Sequence, residues 1–402
     1  MIRLTRVLIA LPFVVAVGAG CASSSSTPVR RLDAPASHAS ASPVPASHPV
    51  RPAGTVQVPA ISAARPARPS ESLTVPIVHL SGSAVEIGEA HGKAMGATIR
   101  LLHERYLNVF LAGDPERTVA RLAAKAFEAL SLPEHQREIA ALATASAIDE
   151  RDTMLGQCFL DLTPMTACST VALPGSAAAD GVARFGRNLD FPSLGVADKY
   201  TTLFIVKQTG RYAFASVGWP GMIGVLTGMN EHGLTLANME VSRGRRVPTG
   251  MPYTLLYRAA LERCRTVDEA IAYLRATPRQ TANNLMLMDA AGDRAVVELT
   301  PEAVVVRRGE ADVALLSTNH QRGADAATAG LCTRYDYMKR QSARDFGGID
   351  GRAVEAMLQH VGNATTLQAM IFEPANRAMY LSAGTGAAGR AFTRIELGPL
   401  MR

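Results

Sequence analysis

Short apolar runs punctuated by glycine and asparagine fill the chain after residue 153 and restrict its fold more than any other feature. Runs of this length are typical of strands, and helical periodicity occurs between them in pairs. This order predicts an α+β protein whose antiparallel sheets are covered by helices, not a parallel βαβ array. The predicted strands span residues 169–173, 183–191, 202–208, 212–217, 222–228, 234–241, 285–289, 295–299, 303–307, 313–317, 367–372 and 378–382, and the predicted helices 253–264, 267–276, 331–344 and 353–361.

Helical periodicity also precedes these strands, over residues 84–111, 115–130 and 133–147, so three helices are predicted there. Ser83 stands where the first helix needs a cap, and Pro133 stands at the first position of the third helix, where proline fits. We therefore expect residues 74–402 to form a single domain.

The first 21 residues have the pattern of an export signal. Arg3 and Arg6 precede an apolar run over residues 7–17, which is too short to span a bilayer, and small residues lead into Cys21. Small residues before a cysteine also resemble a bacterial lipoprotein signal, in which Cys21 would carry a lipid and become the first mature residue. The sequence predicts a periplasmic protein held at the membrane by this lipid, with ordinary secretory cleavage as the alternative.

Residues 22–73 are predicted to be a disordered tether, because alanine, serine and proline dominate and nine of the 23 prolines lie there. Residues 1–73 contain seven arginines and two acidic residues, whereas the rest of the chain has 34 basic and 33 acidic residues. The net charge of +6 therefore belongs mainly to the leader and tether. A nucleic-acid partner is not expected.

Several common types of site lack their motif in this sequence. The five cysteines are odd in number and show no C-x-x-C spacing, so neither a disulfide framework nor a zinc site is predicted. The glycines form no nucleotide-binding fingerprint, and no G-x-S-x-G follows a predicted strand. We expect no metal or organic cofactor.

The most informative residues are the segment 168–171 (Cys-Ser-Thr-Val) and the segment 186–191 (Gly-Arg-Asn-Leu-Asp-Phe) that follows it. Together they resemble the N-terminal nucleophile hydrolases, and more closely the penicillin acyltransferase group, to which the choloylglycine hydrolases are related. The resemblance covers about residues 75–385. It implies a four-layer αββα sandwich and a precursor that cuts itself before Cys168 into residues 74–167 and 168–402.

A buried thiol is a weak acid and has no base beside it, and cleavage of the chain would supply a base. Cleavage of the bond between Ala167 and Cys168 would place a free α-amine a few bonds from the sulfur. This amine titrates near neutral pH, so it can accept the thiol proton and later give it to the leaving group. One residue would then serve as nucleophile and base.

The resemblance also implies roles for five further residues. Arg187 would lie beside the thiolate and lower the pKa of Cys168, and Asp190 would hold the α-amine. Asn238 would donate to the oxyanion of the tetrahedral intermediate, a role we prefer for it over Asn230, which reads as part of a hairpin turn. The remaining two match a second site asparagine and an arginine that supports the nucleophile, namely Asn319 and Arg334.

The predicted function is that of an exported amidohydrolase or acyltransferase acting on a small acyl amide through a thioester on Cys168. A choloylglycine-hydrolase-like enzyme and a catalytically inactive lipoprotein binding module are the alternatives. A papain-like pairing of the cysteine with His232 or His320 lacks its local signature. The identity of the substrate and any homo-oligomeric state stay open.

Overall fold

The computed structural model describes residues 74–110, 114–163, 167–241, 247, 249–323 and 331–402. The predicted signal and tether over residues 1–73 lie outside these ranges. The strands are β1 (Ile77–Gly82), β2 (Ala167–Leu173), β3 (Arg184–Asp190), β4 (Thr202–Gln208), β5 (Phe214–Gly218), β6 (Thr227–Asn230), β7 (Thr235–Glu240), β8 (Asn283–Met288), β9 (Arg294–Leu299), β10 (Val304–Arg308), β11 (Leu315–Ser317), β12 (Thr366–Glu373), β13 (Ala378–Ala383) and β14 (Thr393–Glu396).

Helices precede, separate and follow these strands. They are α1 (Ala84–Leu102), α2 (Asn108–Phe110), α3 (Asp114–Ala129), α4 (Pro133–Ser146), α5 (Glu150–Leu162), α6 (Tyr253–Arg263), α7 (Val267–Ala276), α8 (Thr333–Arg344), α9 (Gly351–Val361) and α10 (Leu397–Met401). A π-helical turn, His103–Leu107, joins α1 to α2. No helix within the described ranges has both the length and the apolarity that crossing a membrane requires.

The strands form two sheets. The first has the order β1-β4-β5-β6-β7-β8-β9-β10, and the second has the order β11-β2-β3-β12-β13-β14. All neighbouring strands are antiparallel except β1 and β4, which are parallel. The predicted antiparallel α+β class is therefore confirmed.

Alternation along β2 shows how the layers stack. Val171 and Leu173 pack with residues of α8 and α9, whereas Cys168 and Ala172 belong to the core shared with the first sheet. On the outer side of the first sheet, a Cβ added to Gly228 of β6 would approach α6. Helices thus cover both outer faces, which confirms the four-layer αββα arrangement.

Local signals predicted several elements closely. Strand β4 and helix α7 have the predicted bounds, and Ser83 forms a capping box at the start of α1. Pro133 occupies the first turn of α4. These elements follow from cap chemistry and clear periodicity, which need little help from the rest of the fold.

Other predictions were wrong. Residues 150–162 form a helix that was not predicted, α5, which follows the capping residue Asp149; only three helices were expected before residue 168. The strand predicted over residues 222–228 starts only at Thr227, because Gln157 and Thr254 bind the backbone N–H groups of residues 223–225 and hold them as a loop. Strand β14 and helix α10 were also missed.

Candidate functional site

Cys168 lies at the start of an inner strand. It is the second residue of β2, is completely buried, and is paired with Leu189 of β3. Thr170, two residues on and therefore on the same face, donates its hydroxyl to Met239 Sδ in the first sheet at 3.4 Å. The cysteine thus points between the two sheets.

The backbone of Cys168 is held at both of its polar atoms. Its N–H donates to Asn319 Oδ1 at 2.8 Å, and its carbonyl oxygen accepts from Arg334 Nη1 at 2.6 Å. Arg334 also donates to Asn319 Oδ1 at 3.0 Å and to Ser169 Oγ at 3.0 Å. Two side chains far along the sequence therefore fix the main chain of one residue.

Asp190 lies opposite Ala167 in the pairing of β2 with β3. Its Oδ1 accepts from Thr366 Oγ1 at 2.6 Å, and its Oδ2 is 3.6 Å from Arg334 Nη1. Burial raises the pKa of Asp190, and the Thr366 hydrogen bond and the charges of Arg334 and Arg187 oppose this rise only in part. We call Cys168, Asp190, Asn319 and Arg334 the nucleophile cluster.

Arg187 is also completely buried, in β3 opposite Thr170. None of its three guanidinium nitrogens has a hydrogen-bond partner among the described residues. Its positive charge acts on Asp190, where it opposes part of the rise in pKa that burial causes. A buried charge without hydrogen bonds is costly, so this residue needs an explanation beyond folding.

Asn319 is itself positioned by two neighbours. Asn284 donates through Nδ2 to the carbonyl oxygens of Thr318 and His320, both at 2.9 Å, and so holds the main chain on either side of Asn319. Asn319 Nδ2 donates to the carbonyl oxygen of Glu240 at 2.8 Å. Sequence reasoning missed Glu240, although a buried acidic residue at the end of the apolar run 234–241 was a visible signal.

The two candidate oxyanion asparagines differ in their contacts. The amide of Asn230 donates to the carbonyl oxygens of Leu261 and Cys264 at the end of α6, and its Oδ1 accepts from two backbone N–H groups in the turn. Asn238 is buried in β7, and its Oδ1 has no hydrogen-bond partner among the described residues. No contact described here joins Asn238 to the nucleophile cluster, so its role stays a prediction.

His232 lies far from this cluster. It sits in the turn that precedes β7, with its ring 4.5 Å from that of Tyr212, whereas Asn319 binds the last residue of β7. A six-residue strand spans about 20 Å, so the turn and the cluster are at opposite ends of β7. His232 therefore offers no base for Cys168.

The other described cysteines are buried, and disulfide bonds join none of them. Cys158 and Cys264 lie in or at the end of helices, where burial raises the pKa of each thiol. Within the described ranges, no three His, Cys, Asp or Glu side chains form a group that could hold a metal ion.

A four-layer αββα sandwich with a cysteine at the start of an inner strand is the arrangement that the resemblance to the N-terminal nucleophile hydrolases implies. The family model of acyl-coenzyme A:6-aminopenicillanic acid acyl-transferase matches residues 177–388, more than half of the chain. The chain belongs to this family of amide hydrolases and acyltransferases. The match includes Arg187, Asp190, Asn238, Asn319 and Arg334 and begins after Cys168.

Three solved structures are similar to this chain at 16–17% identity. An N-acylethanolamine-hydrolyzing acid amidase ortholog from Caenorhabditis elegans has a TM-score of 0.43 and covers 52% of this chain and 93% of its own. A conjugated bile acid hydrolase from Clostridium perfringens has a TM-score of 0.41, and the match covers 58% of this chain and 93% of the hydrolase. A penicillin V acylase from Agrobacterium tumefaciens has a TM-score of 0.40, and the match covers 54% of this chain and 82% of the acylase.

These TM-scores are too low to support an argument about activity, so the family assignment rests on the family model. No curated protein matches this chain significantly.

Proposed function

We propose that this protein is an exported amidohydrolase or acyltransferase that forms a thioester on Cys168 after cutting its own chain before that residue. The observation that carries the proposal is that two side chains form hydrogen bonds with the backbone of Cys168. Asn319 binds its nitrogen and Arg334 its carbonyl oxygen, both at hydrogen-bond distance. A cysteine that served only through its thiol would not need its backbone nitrogen fixed by a side chain 151 residues away.

The cut can proceed from the same atoms. The Cys168 sulfur attacks the carbonyl carbon of Ala167, the C–N bond breaks, and the acyl group moves from nitrogen to sulfur. Water then hydrolyses this thioester, which leaves a carboxylate on Ala167 and a free α-amine and thiol on Cys168. Asp190, which lies opposite Ala167 in the strand pairing, would hold the new amine.

Turnover of an amide would use the amine as the base. The amine takes the thiol proton, the sulfur bonds to the substrate carbonyl carbon, and the departing nitrogen receives that proton as the C–N bond breaks. Water or an amine then attacks the thioester and releases the acid or a new amide. In this scheme Arg187 stabilises the thiolate, and Asn238 donates to the oxyanion.

The mass of the mature protein tests this proposal. We expect wild type to separate under denaturing conditions into two chains, the second beginning at Cys168, and Cys168→Ala to remain one uncut chain without amide turnover. Cys264→Ala, which removes another buried thiol, is the matched control and should be cut and active. Incubation of wild type with a slowly hydrolysed amide should add the acyl mass to the second chain.

Two outcomes would contradict the proposal. An intact wild-type chain that hydrolyses amides would rule out the α-amine as base and require another base, with His320 the next candidate. Absence of both cutting and turnover would favour a catalytically inactive binding module.

We also propose that the protein is held at a membrane by a lipid on Cys21, because small residues precede this cysteine and an apolar run precedes them. Cys21→Ser should move the protein from the membrane fraction to the soluble periplasm. Ser23→Ala, two residues away, should leave the fractionation unchanged. Equal membrane association of Cys21→Ser and wild type would reject the lipid anchor.

A further inference from the structure

An apolar cavity of about 90 Å³ lies between α1, the π-helical turn and α5 on one side and the loop that contains Trp219 on the other. We call it the α5 cavity; its lining includes Tyr106, Gly156, Phe159, Phe191, Trp219 and Leu226. Two of these residues are next to predicted site residues. Phe191 directly follows Asp190, and the carbonyl oxygen of Leu226 accepts from the backbone N–H of Asn238.

Several polar groups around the α5 cavity are bonded to protein, and Nε2 of His103, which also lines it, lies 3.9 Å from Asp152 Oδ2. Tyr106 donates its hydroxyl to the carbonyl oxygen of Pro192 at 2.6 Å, and Trp219 donates its indole N–H to that of Ala197 at 2.8 Å. The Asp152 carboxylate at the rim binds Arg121. With these groups engaged, the wall consists mainly of apolar side chains, which favours an apolar occupant.

Helix α5 is fixed against the opposite wall. Gln157 donates through Nε2 to the carbonyl oxygen of Gly221 at 2.7 Å, and its Oε1 accepts from the Ile223 N–H at 2.8 Å. Residues on one face of α5, including Gly156 and Phe159, line the cavity. The α5 cavity is therefore largely preformed, which lowers the cost of binding.

Gly156 is the unexpected residue in this wall. A glycine in the middle of a helix costs about 0.5–1 kcal/mol relative to alanine. A Cβ built on Gly156 meets no atom within 4 Å, so close packing does not require the glycine. A side chain at this position would instead occupy open space in the cavity.

We propose that the α5 cavity receives the apolar end of the substrate's acyl group and that Gly156 limits the size of the group it accepts. This inference rests on the proposed amide chemistry at Cys168. An apolar cavity of about 150 Å³ binds benzene, so the smaller volume here, about 90 Å³, suits a short alkyl chain better than a ring. Amides of short-chain acids are the expected substrate class.

Substitutions at Gly156 test the proposal with N-hexanoyl- and N-acetyl-p-nitroanilide. One methylene in an apolar pocket changes kcat/KM by roughly 10- to 200-fold, so Gly156→Leu should lower kcat/KM for the hexanoyl substrate roughly 10- to 100-fold. It should leave the acetyl substrate within about threefold, because the acetyl group does not reach the wall. Gly156→Ala should have a smaller effect of the same kind, and neither variant should unfold at a lower temperature than wild type.

Gly351→Ala is the matched control. Gly351 begins α9 in another layer, and a Cβ there would meet its nearest neighbour at an ordinary 3.9 Å. This variant should preserve the ratio of the two kcat/KM values. An unchanged ratio in both Gly156 variants, or an equal loss on both substrates, would overturn the proposal.

Thermal unfolding with 10 mM-scale hexanoate or acetate as probe separates this proposal from the catalytic one. Hexanoate should raise the unfolding temperature of wild type and Gly351→Ala and not that of Gly156→Leu, whereas acetate should shift none of them. Where wild type turns over neither anilide, the catalytic proposal fails and the hexanoate shift alone decides whether the cavity binds acyl chains. An equal hexanoate shift in wild type and Gly156→Leu would then reject the cavity.

Discussion

Arg258 and Arg187 are both completely buried, and their surroundings are opposite. Arg258 donates to Glu262 Oε1 at 2.8 Å and to the two carboxylate oxygens of Glu138 at 2.8 and 2.6 Å. Burial disfavours its charge, but these carboxylates more than offset burial and raise the pKa of Arg258. The guanidinium nitrogens of Arg187 have no hydrogen-bond partner among the described residues.

This difference in hydrogen bonding distinguishes Arg258, which stabilises the fold, from Arg187, which is predicted to act in the site. Glu138 lies in α4, before Cys168, and Arg258 lies in α6, after it, so this pair joins the two parts of the chain that the proposed cut would separate. Arg187 stabilises no second segment through hydrogen bonds and lies in the strand paired with that of Cys168. Donors without partners are what the role predicted for Arg187 beside the thiolate would require.

The largest expected effect comes from breaking the bonded arginine. Arg258→Met should lower the free energy of unfolding by about 3–5 kcal/mol, because Glu138 would lose the arginine that binds both of its buried oxygens, while Glu262 would retain His135 and Arg263. Denaturant titration measures the loss. The specific activity of the folded fraction should match wild type. A change below about 1 kcal/mol would show that the network contributes nothing net to stability.

The two asparagines repeat the comparison. Asn238→Ala should lower amide turnover roughly 100-fold, the usual effect of losing one oxyanion donor, with little change in stability. Asn230→Ala should leave turnover nearly unchanged and lower the free energy of unfolding by about 1–3 kcal/mol. The substitution leaves buried backbone groups of the turn and of the end of α6 without hydrogen-bond partners. Steady-state kinetics and denaturant titration of both variants check this. Wild-type turnover by Asn238→Ala would remove it from the site.

Arg187→Met is the counterpart of the first substitution. It should slow alkylation of Cys168 by iodoacetamide roughly 10- to 100-fold near neutral pH, because the thiolate loses a nearby positive charge. The rate should recover as pH rises, since the thiol then ionises without help. Peptide mass spectrometry follows the reaction, with the Cys264 peptide as internal control. Stability should not fall, because no hydrogen bond is lost; alkylation at the wild-type rate across the pH range would remove Arg187 from the thiolate's surroundings.

Sequence patterns predicted the architecture, and four of the six predicted site residues lie together in the nucleophile cluster, because both depend on local or recurring features. Strand β4 and helix α7 have strong periodicity and clear ends, and the segments around Cys168 and Arg187 carry the family's pattern. The family match confirms the recognition, while the individual roles of the six site residues stay predictions.

What sequence could not show depends on contacts between distant segments. Asn284 positions Asn319 through the carbonyl oxygens on either side of it, and no local pattern reveals such a bond. Helix α5 was not predicted, and Gly156, which lies within it, weakens its helical signal. The same glycine lines the α5 cavity, so a local conflict in the sequence coincided with a candidate functional feature.

The smallest effect concerns Glu134, at the exposed edge of the bonded region. Burial alone would raise its pKa, but the Arg211 hydrogen bond and the charges of Arg263 and Arg211 lower the pKa of Glu134 from 4.5 to about 2. A carboxyl whose pKa is lowered on folding stabilises the protein above pH 4.5, and this stability is lost as pH falls from about 4.5 to 2. Because Arg211 is a third exposed, we expect only about 1 kcal/mol. Glu134→Gln should therefore flatten the acid side of the pH profile of unfolding by this amount, as denaturant titration across about pH 2–7 would measure. A wild-type acid profile in Glu134→Gln would show that solvent screens the pair completely and that the contact between α4 and α6 depends on its buried pairs, Arg258 with Glu138 and His135 with Glu262.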